Sequence, residues 1–222
     1  MPLVRTKPYH RVFKTVTLYQ GEFILQSIIA EAGWPIGPLL FISVVALAII
    51  FERLMALRLS RVCPAEVATE ASRLLRGKGV TEESLDKLAQ SSLSGKVLST
   101  ILANKQQPIN EIRLRAEETG ADVAHEMQRF LPALSMIATI APLMGLFGTV
   151  VGMIEIFAAY QPGGTDPGQL ARGISIALYN TGFGILIAVP AAIAHRLLRV
   201  HVNNLLVKIE QSARSLIQQI HP

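Results

Sequence analysis

Glu155 is a carboxylate that directly follows a long uncharged stretch of the chain. Residues 130–154 contain no charged side chain, and further apolar residues follow Glu155. A charge at the centre of a bilayer costs about 3 kcal/mol, so ionisable residues inside membrane segments usually belong to ion or proton pathways. Glu155 is therefore a candidate proton carrier. The alternative is that it reaches the outer interface and is simply hydrated.

Two threonines and an asparagine form a second polar set in apolar surroundings. Thr149 lies in the same uncharged stretch, and Asn180 and Thr181 lie in the next one. Thr149 and Thr181 are equally spaced about Thr165, so an antiparallel hairpin would place them at a similar depth. A threonine in a membrane helix more often bonds to its own backbone than to a ligand. The matched set nevertheless predicts a polar patch made of Thr149, Asn180 and Thr181.

Small residues recur at spacings of three and four in both stretches, which is the period of one helix face. The first series is Ala138, Ala141, Gly145, Gly148, Gly152, Glu155 and Ala159, and the second is Gly173, Ala177, Thr181, Gly184, Ala188 and Ala192. Such seams let membrane helices approach closely. We therefore expect two tightly packed helices. Because Glu155 is a member of the first series, we expect it to face protein or a protein-lined cavity.

Composition places these segments in a membrane protein. The 222 residues are 50% hydrophobic and 17% charged, with a mean hydropathy of +0.40. Three uncharged runs, 35–51, 130–154 and 173–194, are long enough to cross a bilayer, which takes about 20 residues. The net charge of +5 is not arranged as a basic stripe among aromatics, which argues against nucleic acid as a partner. Cys63 is alone, so no disulfide forms within the chain.

Basic residues predict the topology. Residues 52–131 hold 12 Lys and Arg residues, whereas 161–172 hold only Arg172, so the former segment is expected in the cytoplasm. The predicted organisation is a periplasmic segment at 1–33, a first span at 34–51, a cytoplasmic helical domain at 52–131, a second span at 132–160, a periplasmic loop at 161–172, a third span at 173–194 and a cytoplasmic C-terminal helix at 195–222.

The remaining segments have helical patterns, so the predicted fold class is all-α. Pro64 begins one helix that Gly77 and Gly79 end, and Thr81 begins another that ends at Gly95. A third follows Pro108 toward the second span, and residues 195–220 keep apolar residues at helical spacing. The second and third spans are therefore expected to extend as long helices into the cytoplasm.

The chain lacks the arrangements that catalysis requires. Ser135 and Ser175 have no helical histidine partner in the spans, and the five histidines show no metal-ligand spacing. No glycine-rich loop with a lysine is present to bind nucleotide. We expect neither an enzyme, nor a metal, nor a cofactor. A passive scaffold, whose seams only drive assembly, remains an alternative.

Three stretches carry a resemblance to a known family. The sequences "WPIGPLLFISVVALAIIFERLMALR", "GLFGTVVGMIEIF" and "ISIALYNTGFGILIAVPAAIAHR" resemble the membrane segments of the MotA/TolQ/ExbB proton-channel family, and the ExbB branch most. The resemblance implies a bacterial inner-membrane protein that forms a homo-oligomeric ring, a pentamer in this family. An ExbD-like single-span protein would occupy the ring, and proton flow would energise a TonB-like protein. The family's pore threonines correspond to Thr149 and Thr181.

One departure from the family pattern affects the proton pathway. ExbB and TolQ proteins typically carry a glutamate in the third span within "GIAEAL", where this chain has "GISIAL" and places Ile176. Either Glu155 or an aspartate of the partner would then supply the acidic group. A TolQ-like role in envelope maintenance, a motility motor and a non-conducting scaffold remain alternatives to TonB-linked transport.

Overall fold

The computed structural model describes residues 33–77, 80–158 and 167–221, and these residues form α-helices without a strand. The helices are α1 (Ile36–Ala56), α2 (Leu59–Val62), α3 (Ala65–Arg76), α4 (Glu82–Ser91), α5 (Leu93–Ala103), α6 (Ile109–Gln128), α7 (Leu131–Ala158) and α8 (Pro167–Ile220). The predicted all-α class is confirmed. Most of the segment predicted at 1–33, the predicted helix end at Gly79, residues 159–160 of the predicted second span (with Ala159 of the small-residue series) and residues 161–166 of the predicted loop lie outside the described residues.

Three of the described helical stretches, Ile36–Ala56, Ile109–Ala158 and Pro167–Ile220, are long and apolar enough to cross a membrane, and each overlaps one of the predicted spans. Their ends differ from the predicted bounds. Helix α1 continues past residue 51 to Ala56 and so includes Glu52 and Arg53. Helix α8 is a single helix of 54 residues that contains both the third span and the C-terminal segment, with Pro190 inside it.

The chain divides into two compact units. The first unit comprises residues 1–44 and 138–189, and the second comprises 45–137 and 190–222. In the first unit the described part contains the start of α1, most of α7 and the first part of α8. Helices α2 to α6 and the remainder of α8 belong to the second unit.

Short helices of the second unit begin at residues that satisfy free backbone N–H groups. The side chain of Thr81 accepts from the N–H of Ser84, whose hydroxyl in turn accepts from the N–H of Thr81, so α4 starts with a capping box. The hydroxyl of Ser92 accepts from the N–H of Gly95 at 3.0 Å and starts α5. The predicted helix from Thr81 to Gly95 is therefore wrong at its end, because Ser92 interrupts it and Gly95 lies inside the next helix.

Large aliphatic side chains form the core of the second unit. Helix α5 contributes Val97, Leu98, Ile101 and Leu102, each at most 2% exposed. Buried residues of α6 recur at helical spacing, as do those of α8 beyond residue 190: Ile112, Ala116, Val123 and Met127 in α6, and Leu198, Val202, Leu205, Ile209, Ala213 and Leu216 in α8. These stripes are the apolar faces that the spacing in the sequence predicts.

Arg53 joins α1 to the end of α6. Its guanidinium pairs with Glu52, lies 4.8 Å from the ring centre of Phe130, and donates to the carbonyl oxygens of Glu126 (3.5 Å) and Met127 (3.3 Å). The last carbonyls of a helix have no partner within the helix, so a cation there satisfies them and complements the helix dipole. Arg53 is consequently buried although it carries a charge.

Candidate functional site

In the first unit, α7 and the first part of α8 run antiparallel with their backbones in close contact. A Cβ atom added to Gly145 would lie 2.8 Å from the carbonyl oxygen of Asn180, and one added to Gly184 would lie 2.7 Å from that of Ala141. Further along, a Cβ on Gly152 would lie 2.8 Å from the carbonyl oxygen of Gly173. Only glycine fits such contacts, and close approach is how small residues hold membrane helices together.

Asn180 fills the space that Gly148 leaves open. A Cβ added to Gly148 would collide with the side chain of Asn180, which has no exposed surface. The amide nitrogen of Asn180 donates to the carbonyl oxygen of Ile176 at 2.9 Å, within its own helix. The amide is thus held in one orientation against α7. Sequence reasoning placed Asn180 in the polar patch but missed that its partner is a glycine of the opposite seam.

The hydroxyls of Thr149 and Thr181 lie within about one turn of each other along the helix pair. Thr149 donates to the carbonyl oxygen of Leu146 at 2.6 Å, and Thr181 donates across to that of Gly145 at 3.5 Å. The two acceptors are consecutive residues of α7, about 1.5 Å apart along its axis. Because each hydroxyl uses its hydrogen on a carbonyl, its oxygen lone pairs remain as acceptors. The pair can therefore receive a hydrogen bond from water or from a protonated carboxyl group.

Glu155 is positioned differently from the expectation. Its side chain is exposed, it lies in the last turn of α7, and it has no hydrogen bond or ion pair with another described residue. The side chain that meets Gly173 of α8 belongs to Ile156. The predicted seam is therefore corrected at this end. Ile156, four residues after Gly152, continues the face of α7 that contacts α8. Glu155, three residues after Gly152, lies on the exposed side of α7.

Ile176 occupies a buried, apolar position. Its side chain is 3% exposed, and the space beside its methyl group Cγ2 is bounded by Gly33, which has a φ of 73°. Nearby in the same unit, the rings of Trp34 and Phe147 meet edge to face at 5.9 Å. A carboxylate at position 176 would be buried, and its ionised form would be costly without a partner. The side chain found there suits its surroundings.

Other polar residues of the pair serve their own helices. Ser175 donates to the carbonyl oxygen of Ala171 at 2.9 Å, the usual back-bond of a hydroxyl in a membrane helix. Pro142 lies inside α7. Among the residues that the structure describes, no three His, Cys, Asp or Glu side chains are grouped so that they could hold a metal ion. The candidate polar groups of the pair are therefore Thr149, Asn180 and Thr181 of the predicted patch, together with Glu155.

Comparison with known proteins gives the wider context. Residues 80–211 match the MotA/TolQ/ExbB proton channel family. The biopolymer transport protein exbB1 of Vibrio cholerae is 29% identical over 196 residues, which is 85% of each chain. The biopolymer transport protein ExbB of Salmonella typhimurium is 31% identical over 180 residues, 72% of this chain and 69% of that protein. The Tol-Pal system protein TolQ of Haemophilus influenzae is 34% identical over 94 residues, 42% of this chain and 40% of that protein.

Proposed function

This chain belongs to the MotA/TolQ/ExbB proton channel family, and we propose that it is the channel subunit of an ExbB–ExbD-type motor. In this proposal the proton-motive force drives the motor, which energises a TonB-like protein for transport across the outer membrane. The names of the relatives that match most of this chain support the ExbB branch. The observation that carries the proposal is the placement of the Thr149 and Thr181 hydroxyls within about one turn of each other on a closely packed helix pair.

The helix pair supplies acceptors for a proton that moves along the pathway. A protonated carboxyl group of a partner, or a chain of water, would donate to the hydroxyl oxygens of Thr149 and Thr181. Close packing at Gly145 and Gly148 keeps these oxygens in place, so little reorganisation accompanies each transfer. Because Ile176 is buried and cannot carry a proton, the acidic group of the pathway comes from the single-span partner or from Glu155.

Removal of either hydroxyl tests the pathway. Valine keeps the shape of threonine but removes the acceptor that a carboxyl group of the partner or a water would use, at a cost of about 1–3 kcal/mol, so Thr149→Val and Thr181→Val should each abolish partner-dependent proton flux. Flux is measured with a pH-sensitive dye in vesicles that contain the complex. Ser175→Ala removes a hydroxyl from the same helix and should leave the flux unchanged. A Thr181→Val complex that assembles and conducts normally would refute the pathway.

Glu155 is tested in the same vesicles. Glu155→Gln retains size and hydrogen bonding but removes the charge. Since Glu155 is exposed in the last turn of α7, we expect the Gln variant to keep most of its flux. A loss as severe as that of Thr181→Val would instead assign the acidic role to Glu155.

The proposal includes an orientation in the bacterial inner membrane. In this orientation residues 52–131 and 195–222 lie in the cytoplasm, because they are rich in Lys and Arg. With three spans, the N-terminus then lies in the periplasm. In a Cys63→Ser background, a cysteine at Gln90 should react with an impermeant reagent only after cell lysis, and one at Gln169 in intact cells. Both positions are exposed. Labelling of Gln90→Cys in intact cells would reverse the topology.

Assembly is the remaining part of the proposal. We propose a homo-oligomer, a pentamer by analogy with the family, around an ExbD-like single-span protein. The match to TolQ supports a second candidate, an envelope-maintenance motor, but it covers 42% of this chain. Complementation separates the two candidates. The chain with its cognate partner should restore TonB-dependent uptake in a strain that lacks ExbB, and should fail to restore detergent resistance in one that lacks TolQ.

A further inference from the structure

A large apolar groove lies within the second unit, beside the last turns of α1. It has a volume of about 950 Å³, and aliphatic side chains of α1 and α8 form most of its wall. Leu54, Ile193 and Leu197 of this wall are each at least 55% exposed. An exposed aliphatic surface of this kind marks contact with a membrane or a partner. The volume is within the range of pockets that hold small molecules.

The lining of the groove also includes polar and basic side chains. These are Arg58, Ser60 and His201, and His201 is held by a 2.8 Å hydrogen bond between its Nε2 and the carbonyl oxygen of Leu57. Arg58 is exposed and forms no ion pair with any residue that the structure describes. Arg53 also borders the groove, but Glu52 and two backbone carbonyls already satisfy its guanidinium. Arg58 is therefore the cation available to an incoming anion.

The two chain segments that line the groove carry further positive charge. Residues 52–61 and 190–201 contain Arg61, Arg196 and Arg199 in addition to Arg53 and Arg58. Glu52 is the only acidic residue of these two stretches, and it is paired with Arg53. An occupant of the groove thus meets aliphatic side chains together with positive charge that no acidic residue of these stretches neutralises.

We propose that the groove binds an anionic phospholipid. An acyl chain lies along Leu54, Ile193 and Ala194, and the phosphate group lies against Arg58. The position fits this occupant, because the groove lies where two uncharged spans give way to the basic stretches 52–61 and 195–201, which is the headgroup level of one leaflet. Basic pockets between membrane helices bind anionic headgroups, and each Arg near the surface adds about fivefold in affinity.

The full-length protein, purified in mild detergent and mixed with phosphatidylglycerol and phosphatidylcholine of identical acyl chains, tests the site by native mass spectrometry. Wild-type protein should retain phosphatidylglycerol preferentially. Arg58→Gln should reduce this retention about fivefold, whereas Arg76→Gln, which removes an exposed arginine of α3, should not. Ala194→Phe fills the groove without changing charge and should reduce retention of both lipids. Circular dichroism verifies that each variant is folded.

Four results would overturn the proposal. Equal retention of the two lipids by wild-type protein would remove the headgroup recognition. Equal losses in Arg58→Gln and Arg76→Gln would reduce the effect to net charge. Full lipid retention in Ala194→Phe would mean that nothing occupies the groove. Full retention in the same variant together with dissociation of the oligomer would mean that a second copy of the chain occupies it.

Discussion

The two units use one long helix, α8, in opposite ways. Before residue 190, α8 brings Gly173 and Gly184 against the backbone of α7, and a Cβ on either glycine would clash. Beyond residue 190, the buried residues of the same helix are mostly large, such as Leu198, Leu205 and Leu216. Contact in the first unit is therefore backbone to backbone, and contact in the second unit is between interlocking side chains.

The solvent that we predict for each unit, lipid for the first and water for the second, explains this difference in packing. Lipid tails are as apolar as leucine, so burial of a leucine in a membrane gains little and close packing must hold the helices together. In water, burial of apolar surface contributes about 25 cal/mol per Å². Enlarging a residue should consequently damage the first unit most, and shortening a residue should damage the second unit most.

The largest expected effect is that of Gly148→Leu. The added side chain must enter the space that Asn180 fills, and overpacking at backbone contact should destabilise the α7–α8 pair by more than about 3 kcal/mol. Thermal unfolding in detergent and protease sensitivity of α7 measure the loss. Leu146→Phe is the matched control, because Leu146 is 58% exposed and should accept the larger ring. Equal stability of the two variants would end the distinction between the units.

Leu205→Ala should have the next largest effect. Leu205 is 2% exposed in the core of the second unit, and removal of its methyl groups should lower the free energy of unfolding by about 3 kcal/mol. Val207 of the same helix is 50% exposed, so Val207→Ala should cost far less. Unfolding of both variants is followed by circular dichroism. If Leu205→Ala is as stable as Val207→Ala, side-chain interlocking does not hold this unit.

The smallest effect sharpens the comparison within the second unit. Ser92→Ala removes the hydroxyl that caps α5, and should cost about 1 kcal/mol. Hydrogen exchange should rise at the first turn of α5 and remain unchanged in α7. Thr69→Ala, which removes an exposed hydroxyl bonded within α3, is the control. Unchanged exchange at Gly95 and Lys96 in the Ser92 variant would contradict the role of the cap.

Sequence reasoning found what depends on composition and period. The all-α class, three spans and the small-residue series are all visible as uncharged runs and repeats of three and four residues. It went wrong where two choices share the same local pattern. Ser92 reads equally well as the interior of one helix or the cap of the next. Both Glu155 and Ile156 continue a helical face from Gly152.

Tertiary packing decided these cases. A second helix selects which residue of a nearly equivalent pair faces it, and Gly173 selects Ile156. Asn180 is recognisable as polar from the sequence, but its place beneath Gly148 follows only from the register of α7 against α8. The sequence determined which residues are small, apolar or charged, because those are properties of single side chains. Tertiary structure alone determined which of them meet, because contact depends on two helices at once.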